Sequence, residues 1–228
     1  MKILAIDTAT EACSAALYID GEVRLRYRVE PRRHSELILP MMEELLSDAG
    51  IALNSLDALA FGRGPGSFTG VRIATGVIQG AAFGADLPVA PVSTLAALAQ
   101  RRFREQGGRN LLPAYDARMG ELYWGCYQIG DEGLAYPQGS DLVIQPEQVD
   151  RPTGEGWVGV GSGWASYGET LRDRLGDSLA AVDGELLCSA WDVALLGAAA
   201  FKAGETVPAE QALPVYLRDK VAKKPGGR

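Results

Sequence analysis

The sequence contains itself twice. The stretch LLPAYDARMGELYWGCYQIGDEG can be laid over ILAIDTATEACSAALYIDGEV so that Asp116 falls on Asp7, and the same offset pairs Ala114 with Ala5, Tyr127 with Tyr18 and Gly130 with Gly21. A strand, an acidic turn, a second strand and a glycine turn therefore recur, the mark of an internal duplication. The 228 residues divide at Gly107-Gly108 into two α/β halves, 1–106 and 107–228, with the last twenty or so residues belonging clearly to neither.

The first half reads as three antiparallel strands followed by helices. Asp20-Gly21 is a hairpin signal between the second and third strands, and EVRLRYRVE sets Arg24, Arg26 and Arg28 on one face. From Ser35 to Ala49 the apolar residues Leu37, Ile38, Met41, Met42, Leu45 and Leu46 take up helical spacing, with Pro40 predicting a kink or a late start. DALAFGRG predicts the next strand. It leads into GRGPGSFTGVR, in which Gly62, Gly64, Gly66 and Gly70 permit positive φ or close backbone approach, while Ser67 and Thr69 can cap a following helix. Such a loop is either a phosphate cradle or a tight turn that aims a helix at a partner.

That helix, over residues 69–83, carries Gly76, Gly80 and Gly84 four apart. Each glycine costs an exposed helix about 0.5–1 kcal/mol relative to alanine, so a closely approaching backbone is expected to offset them. Val71, Ile73, Ala74, Val77 and Ile78 leave apolar groups on several of its faces. Together with the helix of residues 37–46, this is more apolar surface than one sheet covers, and a protein interface is the expectation.

Several chemistries are excluded or disfavoured. A formal charge of −7 argues against a protein that grips nucleic acid alone; the basic tail of Lys220, Lys223, Lys224 and Arg228 reads as a frayed terminus. His34 is the sole histidine, so no paired-histidine metal site forms, and beside Arg33 it is expected to be exposed at a helix start. Cys13, Cys126 and Cys188 are odd in number and far apart, which suits a reducing cytosol. Met1 runs at once into an apolar strand, with no secretory signal and no apolar run long enough to span a membrane. No lysine completes a P-loop, neither glycine motif completes GxGxxG, and no serine lies in GxSxG.

Two halves that each open on a strand and an acidic turn resemble the actin, Hsp70 and sugar kinase architecture, in which nucleotide sits between the halves. Asp7, Thr8 and Thr10 keep the acid and two hydroxyls of such a site, whereas Asp116-Ala117-Arg118-Met119 keeps only the acid. One side of the clamp is worn, and no cofactor is expected. An active nucleotide-dependent enzyme, ATPase or kinase-like, with Asp7 as metal-proximal acid, is the alternative.

DTAT, HSELILPMMEELL, GRGPGSFTGVRIA, PVSTLAAL, YDARMGELYW and PVYLR together resemble the bacterial TsaB (YeaZ) proteins of the wider Kae1/TsaD group over nearly the whole chain. The resemblance implies a duplicated actin-like (ASKHA, ribonuclease H-like) two-domain α/β fold and a cytoplasmic, non-catalytic subunit. It implies TsaD and TsaE as partners in placing the threonylcarbamoyl group on N6 of adenosine 37 of tRNAs that read codons beginning with A. A homodimer is implied when the chain is alone, and tRNA would be met only through the complex. The family's dimer surface would fall on Leu37, Ile38, Met41, Met42 and Leu45 and on Val71, Ala74, Val77, Ile78 and Gly80.

Overall fold

The computed structural model describes residues 1–218, so the basic tail lies outside the described residues. The first half runs β1 (Lys2–Asp7), β2 (Ala12–Ile19), β3 (Glu22–Val29), α1 (His34–Ala49), β4 (Ala58–Gly62), α2 (Phe68–Ala85), β5 (Val89–Val92) and α3 (Thr94–Gln106). The second runs β6 (Asn110–Arg118), β7 (Glu121–Trp124), β8 (Tyr127–Ile129), β9 (Ala135–Pro137), β10 (Leu142–Ile144), β11 (Trp157–Val160), α4 (Ser162–Leu175), β12 (Leu179–Asp183) and α5 (Ala190–Ala203).

The strand orders are β3-β2-β1-β4-β5 and β10-β7-β6-β11-β12. In each, the opening strand pairs antiparallel with the next and parallel with the strand that follows the crossover. The chain thus has the duplicated ribonuclease H-like, actin-type fold. Two differences break the symmetry. The counterpart of β2 is split into β7 and β8 at Gly125-Cys126, where a single second strand is expected from the sequence. A Cβ on Gly125 would stand 2.6 Å from the Tyr127 ring, so the break is packed. Where the first half inserts α1 between β3 and β4, the second has only a short 3-10 turn at Pro146–Gln148. The linker QPEQVDRPTGEG offers no apolar helical period from which to build a helix.

Alternation along β1 sets the layers. Leu4 and Ile6 face a core shared with α1 and α2, whereas Ile3 and Ala5 face a second core that holds α3, α5 and the inner face of the other sheet. A third core, built on Trp124, Trp157 and Trp164, joins the second sheet to α4. The order through the molecule is helix pair, sheet, α5 with α3, sheet, α4. Small residues let α5 lie close: a Cβ on Gly197 would come within 2.6 Å of the Ala60 methyl. So α5, although it follows the second sheet in sequence, sits on the first, and Val207 bridges back to Val89.

Pro40 neither kinks nor delays α1, which starts six residues earlier and keeps the proline on its solvent side. Two of the three arginines of β3 are drawn toward α1: Arg26 pairs with Glu44 at 2.9 Å and with Asp48, and Arg24 donates to the Asp48 carbonyl, whereas Arg28 pairs with Glu30 at 3.3 Å. Among the described residues no helix is long and apolar enough to cross a membrane. All three cysteines are free thiols.

Candidate functional site

The loop from Gly62 to Gly70 wraps the turn that follows β1. A Cβ on Gly62 would lie 2.0 Å from Asp7 Oδ2, and one on Gly70 only 1.9 Å from the Thr8 carbonyl oxygen, so glycine is demanded by close approach at both. Hydrogen bonds complete the wrap. The Ser67 N–H donates to the Ala9 carbonyl at 2.8 Å, the Thr8 hydroxyl donates to the Gly70 carbonyl at 2.7 Å, and the Thr94 N–H donates to that of Gly64 at 3.1 Å. Gly66 lies against Ala9. Ser67 is the N-cap of α2, accepting from the Gly70 N–H, while Thr69 is exposed in the first turn and takes no part. The loop's close contacts are therefore with its own chain.

Asp7 is sealed beneath it. The side chain is wholly buried; Oδ1 accepts from the Ala9 N–H at 3.2 Å, and Oδ2 meets no hydrogen-bond donor. Burial, opposed by the Ala9 bond, pushes its pKa up to about 6. Thr8 is equally buried, and of the three residues expected to hold nucleotide only Thr10 reaches the cleft between the halves. Asp116 differs. It lines that cleft and spends one oxygen on the Arg118 N–H at 2.8 Å, closing its own turn.

His34 is not exposed as expected. It opens α1 but is buried, because the helix start packs on the turn after β1, and its Nε2 lies 2.9 Å from the Thr10 carbonyl oxygen.

The outer face of α1 and α2 is the other candidate. The two helices enclose a shallow apolar groove of about 730 Å³, with Leu39, Leu46, Ile51 and Val77 among its lining and Gly76 and Gly80 beside them. No atom lies within 4 Å of a Cβ built on Gly76, Gly80 or Gly84, so the glycine ridge serves no contact among the described residues.

A family model described as TsaD: tRNA N6-adenosine threonylcarbamoyltransferase matches residues 28–225. The tRNA threonylcarbamoyladenosine biosynthesis protein TsaB of Escherichia coli is 46% identical over 98% of this chain and 97% of its own, and that of Haemophilus influenzae is 40% identical over 100% and 98%. The chain belongs to the TsaB (YeaZ) family. The solved structure of YeaZ from Pseudomonas aeruginosa superposes with a TM-score of 0.88 at 50% identity, covering 95% of this chain and 99% of that one.

The residues expected at a TsaB dimer surface separate into two groups. Ile38, Met41, Met42, Leu45, Ala74 and Ile78 are buried in the molecule's own interior, because the stripe that a helical period picks out is the stripe that covers the sheet, and Val71 is buried beside the cleft between the halves. Leu37 and Val77 are half-buried, and Gly80 is exposed. Sequence reasoning passed over Leu39 and Phe83, which are 56% and 85% exposed on the outer face. Their signal was available: Phe83 follows Gly76 and Gly80 along one side of α2, and Leu39 precedes a proline that also faces water.

Proposed function

We propose that the chain is a cytoplasmic, non-catalytic subunit of tRNA threonylcarbamoyladenosine biosynthesis. It is required for transfer of the threonylcarbamoyl group from threonylcarbamoyl-AMP to N6 of adenosine 37, acting with TsaD and TsaE. The observation that carries this reading is the groove on α1 and α2, whose glycine ridge has no partner among the described residues. A ridge without side chains lets a second helix approach closely, and the exposed Leu39 and Phe83 leave water when it does. Pairing of these helices with those of TsaD holds the partner in the geometry that uses the adenylate. A second copy of this chain fits the same groove, so homodimer and heterodimer compete.

The sealed turn supports a subunit that leaves the chemistry to its partner. Asp7 faces protein rather than solvent, and the single histidine is engaged by a backbone carbonyl. The test is reconstitution with TsaD, TsaE, the adenylate and unmodified tRNA, omitting each protein in turn. Modification is expected only in the complete mixture; modified tRNA in the absence of this chain overturns the proposal.

A further inference from the structure

The cleft between the halves shares no lining residue with the groove on α1 and α2. It encloses about 1100 Å³, above the roughly 300–1,000 Å³ of a typical small-molecule pocket. The start of α2 enters it from one wall through Ser67 and Phe68, and the start of α4 from the other through Ser162, so two helix N-termini face the same space. Arg32, Arg72, Arg118 and Arg218 line it against the acids Glu11 and Asp116; Arg118 pairs with Asp116 at 3.4 Å and Arg218 with Glu121, which leaves Arg32 and Arg72 without a carboxylate partner among the described residues. In a chain of net charge −7 this is a local excess of positive charge.

Arg72 is the centre of the arrangement. Among the described residues it has no carboxylate partner; its guanidinium stacks 3.9 Å over the Phe68 ring, and its Nε donates to the Tyr216 hydroxyl at 2.9 Å. The two rings are 5.8 Å apart, and Phe68 and Tyr216 remain 57% and 46% exposed. Tyr216 is fixed from its own side, because the Val215 N–H donates to the Arg63 carbonyl at 2.8 Å. The result is a preordered platform of ring, guanidinium and ring at the mouth of a positive cleft.

We propose that this cleft rim binds single-stranded RNA, with bases stacking on Phe68 and Tyr216 and phosphates drawn to Arg32, Arg72 and Arg118. Base stacking on exposed aromatic side chains beside cations is the means by which single strands are held without sequence reading. With Asp7 sealed, the acids left in the lining are Glu11 and Asp116, Asp116 already closes its own turn, and no group of three metal-ligating side chains forms among the described residues, which favours a ligand stretched along the rim. The choice of RNA among polyanions rests on the function proposed above, and it departs from the expectation that tRNA is met only through the complex.

The test uses the full chain alone with a fluorescein-labelled oligouridine of twelve nucleotides, followed by anisotropy at low salt. Binding is expected to weaken with salt with a log–log slope of about −2, as three phosphate contacts to a single strand require. Phe68→Ala and Arg72→Ala should each weaken it by about tenfold, whereas Arg172→Ala, at an exposed position of α4 that does not line the cleft, should leave it unchanged. Arg32→Glu is a further variant at an exposed position, and circular dichroism confirms the fold of each. No binding at about 50 mM salt, or binding indifferent to all three cleft variants, overturns the proposal. So does complete displacement by micromolar Mg-ATP, which would make the cleft a mononucleotide site. TsaD and the adenylate are absent from the assay, so its outcome is separate from that of the reconstitution.

Discussion

The two halves share one strand order but use their outer faces in opposite ways. The second half closes its outer face with a single helix: Trp164 of α4 lies over Gly159 of β11, where a Cβ would meet the indole at 2.3 Å, and donates its Nε1–H to the Leu112 carbonyl at 2.8 Å. The first half spreads two helices over its sheet and leaves glycines at their outer surface. An inserted α1 and a ridge without side chains convert what is a core-covering face in one repeat into a face with apolar surface to spare in the other. Duplication supplied the scaffold twice, and the copies diverged where the outer helices sit.

The sharpest way to break that contrast is to place the same bulk on the two sides of α2. Ala74 is wholly buried against the sheet, so Ala74→Phe overpacks the core and should cost more than about 3 kcal/mol, read by urea unfolding of the chain alone. Gly80→Phe meets open space, should leave the unfolding midpoint at or slightly above the parent value, and should abolish capture of TsaD and self-association in sedimentation. A stable Ala74→Phe, or a Gly80→Phe that unfolds, would mean that the two faces of the helix have been assigned the wrong way round.

The acidic turns give the second contrast. Asp7 is buried with a pKa of about 6 against 3.8 for a free carboxyl, so the folded state holds its proton more tightly than the unfolded chain does. Stability contributed by this group is therefore present below about pH 4 and is lost as pH rises through 6, a difference of about 3 kcal/mol. Asp7→Asn should stabilise the protein by about that amount at pH 8 and by nothing at pH 4. The same exchange at Asp116, whose turn an asparagine oxygen also closes, should stay within about 0.5 kcal/mol at pH 8. Equal responses at the two positions would show that Asp7 is open to water and that the cleft floor is not sealed.

Much of the fold was legible because its signals are local. The repeated strand, acidic turn and strand appear as β1-β2 and β6-β7, and the Asp20-Gly21 turn appears with positive φ at both residues. The return of α5 to the first sheet was not legible, since the small residues that let Gly197 meet Ala60 declare no partner in sequence. The candidate site was half legible. Glycine spacing located both the loop and the ridge, but periodicity cannot say which apolar residues are consumed by the sheet, and so it picks out Ile38 and Ala74, which the sheet covers, and passes over Leu39 and Phe83, which are exposed. His34 was misplaced for a similar reason: a residue among charges at a helix start is exposed only if nothing packs on that start.

The smallest effect bears on what sets α2 in place. Its cap bond, Ser67 Oγ to the Gly70 N–H, is 3.4 Å long, whereas α4 begins at Gly161 with no side-chain cap. If that bond matters, Ser67→Ala should cost about 0.5–1 kcal/mol in urea unfolding, with the m-value unchanged. Its backbone bond to the Ala9 carbonyl survives the change, so the loop should still wrap the Asp7 turn and capture of TsaD should be intact. A loss near zero would show that the backbone wrap alone positions α2. The two halves would then start their outer helices alike, without side-chain caps, and their difference would reduce to what lies on the outer faces. A loss well above 2 kcal/mol would point the other way, to a loop whose hold on the Asp7 turn depends on the serine and a sealed floor that opens when it is removed.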